Sequence, residues 1–192
     1  MSISVCVVYH SGYGHTQKQA EAVAAGVAAT EGVECHTITA AALHDAEADE
    51  WSLLDNAAAI VMGSPTYMGS ASADLKKFME LSSSRWMEQR WADKLAAGFT
   101  NSGSQNGDKQ NTLVQLVTFA AQHGMLWVNL NQLPGNTNSA GSVEDLNRLG
   151  APRRAQVRDR GEEDGARSAA RPAKSRSPTY ADRMAPWSVH IN

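Results

Sequence analysis

The residues of this chain that can do chemistry gather in short polar runs, each following an apolar run. The first is Ser11-Gly12-Tyr13-Gly14-His15-Thr16. It follows a valine-rich stretch, residues 3–9, and precedes a helical repeat of Ala20, Val23, Ala24 and Val27. At a helix start, free backbone N–H groups and the positive dipole end favour an anion. Gly12 and Gly14 permit a tight turn and close backbone approach, while Ser11 and Thr16 add hydroxyl donors. No Lys or Arg stands in the loop, and a phosphate monoester can be held by such neutral donors. A Walker A loop would end in Gly-Lys-Ser/Thr, and a Rossmann GxGxxG would need glycine where Gln17 stands, so neither motif is present. A plain glycine-rich strand–helix turn has the same letters and stays open as an alternative.

Two further loops follow apolar runs. Residues 57–62 end in Gly63-Ser64-Pro65-Thr66-Tyr67-Met68-Gly69, where Pro65 stiffens the turn and Tyr67 and Met68 offer a ring and a thioether beside a flat ligand. Residues 95–99 lead to Asn101-Ser102-Gly103-Ser104-Gln105-Asn106-Gly107, rich in small polar groups and backbone donors. Such a loop suits the polar pyrimidine edge of a flavin, including charge that builds at N1 on reduction.

The elements that must position these loops read as β-α repeats. Strands are expected at 3–9, 34–39, 57–62, 95–99 and 126–130. Helical spacing marks 16–31, parts of 42–55, 71–81, and a segment containing Leu113, Leu116, Val117 and Ala120. This alternation implies an α/β fold with a parallel sheet and helices on both faces. In such sheets ligands sit beyond the carboxyl ends of the strands.

The bulk properties fit one domain. The chain has 192 residues, 42% of them hydrophobic, and a net charge of −3. That balance gives no basic face for nucleic acid and no strong acidic field of the kind a dedicated electron carrier docks with. No apolar run reaches the length of a membrane span and the N-terminus carries no leader pattern, so a cytoplasmic protein is expected. Cys6 and Cys35 read as free buried thiols. The scattered histidines make no metal-ligand spacing, and no nucleophile–base set stands out, so neither a metal nor a catalytic side chain is expected.

The three motifs, in this order, resemble the flavodoxin-like superfamily, and specifically the WrbA-type NAD(P)H:quinone oxidoreductases and NADPH-dependent FMN reductases. The carrying residues run from Val8 through Thr16, across Gly63-Ser64-Pro65-Thr66-Tyr67-Met68-Gly69, from Phe99 to Ser104, and through Gln122-His123-Gly124-Met125. The resemblance implies a doubly wound five-stranded sheet of order 2-1-3-4-5. It implies FMN as cofactor, with its phosphate on Ser11, Gly12, Tyr13, Gly14, His15 and Thr16. Pro65, Thr66, Tyr67, Met68 and Gly69 would line the ring, and Asn101, Ser102, Gly103, Ser104, Gln105 and Asn106 would hold its polar edge. NAD(P)H would be the co-substrate and a quinone the acceptor, with Tyr13, Trp86 and His123 near the substrates in a homo-oligomer, a dimer or tetramer. The alternative function is a flavodoxin-type electron carrier without NAD(P)H oxidase activity.

The chain departs from the family in two places. Gln122 stands where the family tends to have histidine, which leaves His123 as the substitute or as a helix-end histidine favoured by the dipole. The resemblance stops after Leu146-Asn147-Arg148-Leu149-Gly150. Residues 151–192 hold eight arginines and one lysine of the chain's 17 basic residues, with many Ala, Pro and Ser. The expected division is therefore an FMN-binding domain over 1–150 and an atypical tail over 151–192, poorly ordered or read from a shifted frame.

Overall fold

The computed structural model describes residues 2–105, 107–142, 144, 145 and 147, and the backbone of 155–158. β1 (Ile3–Tyr9) leads through a short loop into α1 (His15–Ala28). β2 (Val33–Thr39) runs into a 3-10 turn, Ala40–His44, capped by Thr39, whose hydroxyl accepts from the Ala42 N–H. Then come α2 (Glu50–Asn56), β3 (Ala59–Tyr67), the two-residue β4 (Ser70–Ala71), α3 (Ala73–Leu81) and α4 (Ser83–Met87). β5 (Leu95–Ser102), α5 (Lys109–Gln122), β6 (Leu126–Trp127) and β7 (Ala155–Arg158) complete the described elements.

The main sheet has the order β2-β1-β3-β5-β6, and its pairs are parallel. Setting aside β4, which folds back antiparallel on β3, this is the 2-1-3-4-5 order that the family resemblance implies. Strand alternation divides the core. Cys6, Val8, Ile60 and Met62 face Leu43, Leu54, Leu75, Phe78, Leu113 and Leu116. Val5, Val7, Val61 and Phe99 face Ala20 and Val27 of α1, which alone among the described helices contributes to that second cluster. On the first face Trp51, Phe78 and Trp91 stack with ring centroids 5.6–6.4 Å apart. Truncating one of these buried rings to alanine would cost about 3–5 kcal/mol.

Several boundaries differ from those read in the sequence. β3 does not stop at Met62 but continues through Gly63, Ser64, Pro65 and Thr66 to Tyr67. Proline is tolerated there because of where its nitrogen points. The His10 N–H donates to the Gly63 carbonyl, and the Leu95 N–H to the Ala58 carbonyl, so odd-numbered residues of β3 face β1 and even-numbered ones face β5. β1 has ended at Tyr9, opposite Gly63, so Pro65 lies past the last ladder pair with β1, where a missing N–H is tolerated. β5 likewise runs past Phe99 to Ser102, while β6 shrinks to Leu126 and Trp127. The helix α4 was not read in the sequence at all.

The largest difference lies in the tail, where no strand was expected. Residues Ala155–Arg158 pair in parallel with Phe99, Thr100, Asn101 and Ser102. β6 pairs only with Leu95 and Ala96, which leaves the outer half of β5 with open backbone groups. A ladder needs backbone and little else, so an Arg- and Ala-rich segment can supply it. The rest of the tail lies outside the described residues.

Cys6 is buried, and burial pushes its thiol up to about 12, which keeps it unreactive. Cys35 is only half-buried. The C-terminus of α5 closes with Gly124 at φ 68°, the N–H groups of Gly124 and Met125 reaching back to the carbonyls of Ala121 and Ala120. His123 is thereby packed inside, its ring 4.5 Å from Trp91 and 4.7 Å from Phe119, with Nε2 2.9 Å from Ser82 Oγ. Burial lowers its pKa from 6.5 to about 4. The native state therefore refuses a proton that the unfolded chain takes up. Stability is unaffected above pH 6.5 and falls between about 6.5 and 4, by at most ~3 kcal/mol. Urea unfolding at pH 7 and pH 4.5 should show a smaller acid-side loss in His123→Gln than in the parent; equal losses would contradict this.

Candidate functional site

The three loops meet at the carboxyl edge of the sheet. In the first, the N–H of His10 is tied to Gly63, and Gly14 takes φ 86°, a left-handed turn that non-glycine residues adopt only at a cost of roughly 1–2 kcal/mol. α1 starts at His15 with no side-chain cap and no acidic residue in its first turn. No side chain therefore competes with an outside acceptor at this helix start. Ser11 Oγ is shielded from solvent and has no hydrogen-bond partner among the described residues. A buried hydroxyl left unmet costs about 1–3 kcal/mol, which an anion on this loop would recover.

Thr16 is buried, and its hydroxyl accepts from Asn101 Nδ2 at 2.9 Å. The same Asn101 nitrogen donates to Gln19 Oε1 at 2.7 Å. The Asn101 amide is therefore turned onto α1, joining the end of β5 to the start of the helix. It orients the first loop rather than presenting its NH2 to a ligand. Thr66, expected to line a ring, also points inward, its hydroxyl lying 2.8 Å from those of Thr100 and Thr112 in a buried triad.

Tyr67, Met68 and Gly69 project beyond the sheet. Met68 and Gly69 both have positive φ, 47° and 77°, the geometry of a two-residue hairpin between β3 and β4. Asn111 Nδ2 fastens the Gly69 carbonyl at 2.7 Å. Met68 is fully exposed at this tip. The Tyr67 hydroxyl lies over Gly12 so closely that a Cβ on Gly12 would collide with it. Tyr13 meets Tyr67 edge-on, with centroids 6.3 Å apart and planes at 81°. Burial and then the neighbouring Tyr13 push the Tyr67 phenol upward in pKa, opposed by the Gly12 backbone hydrogen bond. Two exposed aromatic rings and a methionine thus stand beside an anion-ready loop. That combination can hold a flat molecule carrying a phosphate.

The third loop holds a residue the sequence reading missed. Lys109, the first residue of α5, is fully buried. Its Nζ donates to Ser102 Oγ at 2.7 Å, to the Gln105 carbonyl at 2.8 Å and to the Ser104 carbonyl at 3.0 Å. Its position was the available signal. Lys109 precedes Thr112 by three and Leu113 by four, so it lies on the buried face of α5. Gln19, on the buried face of α1 with Thr16 and Ala20, was legible in the same way. Gly103, Ser104 and Gln105 are exposed on the outer side of the loop, and Asn106 lies outside the described residues.

Two expected substrate residues are elsewhere in this chain. His123 is buried in the aromatic core, next to Gly124, whose carbonyl accepts from Asp93 near the amino end of β5. Trp86 neighbours Arg85, which pairs with Asp55 at 3.3 Å ahead of β3. Both therefore lie at the opposite end of the sheet from the loops, because a helix that starts at the carboxyl edge runs back to the amino edge. No cluster of three or more metal-ligating side chains occurs among the described residues.

The comparisons with known proteins agree with this geometry. Residues 10–138 match the family described as NADPH-dependent FMN reductase. The flavodoxin FldP of Pseudomonas aeruginosa is 46% identical over 145 residues, covering 76% of this chain and 75% of that protein. An NAD(P)H dehydrogenase (quinone) of Chromohalobacter salexigens is 31% identical over 136 residues, 63% of this chain and 68% of that one. Among solved structures, a WrbA-like flavodoxin from Agrobacterium tumefaciens is 38% identical with a TM-score of 0.66, covering 97% of this chain and 98% of its own.

Replacing Ser11 by alanine should leave the stability of the cofactor-free chain unchanged or raise it by up to about 1 kcal/mol, since an unmet hydroxyl is removed. The same change should weaken FMN more than riboflavin. Denaturant unfolding and paired titrations check both; a destabilised Ser11→Ala would mean the hydroxyl already has a structural role.

Proposed function

This chain belongs to the NADPH-dependent FMN reductase family of the flavodoxin-like superfamily, and from that premise we propose that it carries electrons from NAD(P)H through bound FMN to a quinone-type acceptor. The observation that carries the reading is the buried, unpartnered Ser11 hydroxyl beside the uncapped start of α1. FMN held there would supply the redox chemistry between the nicotinamide and the acceptor, which the protein's side chains do not provide.

The chain's own residues bind and orient. Ser11, Gly12, Tyr13, Gly14, His15 and Thr16 hold the phosphate through backbone N–H groups and two hydroxyls, with Thr16 aimed by Asn101. Tyr67 and Met68 flank the isoalloxazine ring, Pro65 and Thr66 set the strand that carries them, and Gly69 turns the hairpin back. Ser102, Gly103, Ser104, Gln105 and Asn106 offer donors to the pyrimidine edge. Tyr13 stands at the rim, where nicotinamide and acceptor enter one pocket in turn, which gives ping-pong kinetics. Trp86 serves a substrate pocket only across a subunit boundary, so its role is tied to the proposed homo-oligomer and is absent within one chain. A cytoplasmic setting belongs to the same proposal.

A second reading is favoured by the similarity to a protein named flavodoxin: an FMN electron carrier that does not react with NAD(P)H. One titration separates the two. Full-length protein with FMN is expected to show a protein-bound flavin band that bleaches with NADPH and returns with a quinone. A bound band that ignores both NADPH and NADH would make the chain a carrier. Failure to bind FMN would overturn both readings.

A further inference from the structure

Lys109 stands where two physical rules disfavour it. A fully buried ammonium loses its hydration, and the start of a helix already carries positive partial charge. Side chains that break local rules in this way belong to functional or strained places. A hydroxyl from the last residue of β5 and two successive carbonyls of the loop after it offset this cost.

The way those carbonyls are held has a geometric result. A trans peptide points its C=O and its N–H in opposite directions. With the Ser104 carbonyl drawn to the ammonium, the Gln105 N–H on the same peptide plane faces away from it, toward the exposed side of the loop. Ser102 is fastened as well, since its Oγ accepts a hydrogen bond from the ammonium and donates one to the Ser104 carbonyl at 2.9 Å. The loop is therefore set with the Gln105 N–H outward and a fixed cation behind it.

We propose that Lys109 is the positioning residue of the flavin's pyrimidine edge, its ammonium fixing the 102–105 loop as a donor array and placing behind that array a positive charge that favours reduced over oxidised FMN. The inference rests on the FMN placement proposed above. Reduction adds negative charge at the N1 side of the ring, so a cation on that side strengthens binding of the reduced form more than of the oxidised form. Sequence reading sees only a lysine at the head of a helix, and nothing in its type gives the role.

The test uses the full chain with Lys109→Met, which keeps the length but not the charge, and Ser102→Ala, which keeps the charge and removes one anchor. Dissociation constants are measured for oxidised FMN and for chemically reduced FMN. Amide exchange at Gly103, Ser104 and Gln105 is followed in the cofactor-free protein. In Lys109→Met the preference for reduced over oxidised FMN should fall about tenfold, ~30 mV for a two-electron couple. In Ser102→Ala that preference should hold, while loop exchange quickens and both forms bind more weakly. A purely structural lysine would lower stability and weaken both forms alike, so an unchanged preference in folded Lys109→Met overturns the proposal. Should that variant not fold, unchanged exchange and affinity in Ser102→Ala overturns it instead. A parent chain that binds no FMN fails the functional reading itself, and this inference with it.

Discussion

In a parallel ladder all strands end at one edge, and the backbone groups left there must find partners outside the sheet. β1, β3 and β5 stop at staggered heights: β1 at Tyr9, β3 at Tyr67 and β5 at Ser102. The stagger decides what each end can do. β1 stops early and leaves room for the turn through Gly12 and Gly14 onto α1. β3 overshoots and brings Tyr67 back across Gly12. β5 overshoots too, far enough for Asn101 to reach Thr16 and Gln19. The first loop is thus held by the excess length of β3 and β5, while side chains from the start of α5, Asn111 and Lys109, fasten the other two.

Polar side chains at this edge divide by direction. Thr66, Thr100 and Thr112 satisfy one another inside, and Asn101 is spent on α1. Ser11 keeps a shielded hydroxyl with no partner among the described residues, beside a start of α1 that no side chain caps. A ligand site made this way is mostly backbone, which explains why short, small-residue motifs carry it and why few charged groups surround it.

How much of this could be read beforehand follows from what each signal depends on. β1 and α1 were legible because valine repetition and the 20, 23, 24, 27 spacing are local. The three loops were legible because glycine, proline and hydroxyl residues follow apolar runs. The extension of β3 across Pro65 was hidden, since it depends on where β1 ends rather than on proline itself. β7 was hidden for a similar reason: its pairing answers a vacancy on β5 that only the shortness of β6 creates. His123 was assigned to the site by resemblance, yet the antiparallel run of helices against strands carries it to the far end, as it does Trp86, which the resemblance implies only for an assembled oligomer. Lys109 was visible as a charge on an apolar stripe, but its role depends on loop carbonyls whose direction no sequence pattern encodes.

The bond from Asn101 to Thr16 spans 85 positions of chain. During synthesis the N-terminal strand and helix emerge long before the residue that fastens them, and the His10–Gly63 tie also waits for β3. The phosphate loop is therefore among the first parts made and among the last to be set. Domains that close through such distant contacts fold slowly and expose their edges meanwhile. A nascent chain of this protein has no use for its cofactor until more than half its length has left the ribosome, so cofactor loading becomes a late event in its maturation.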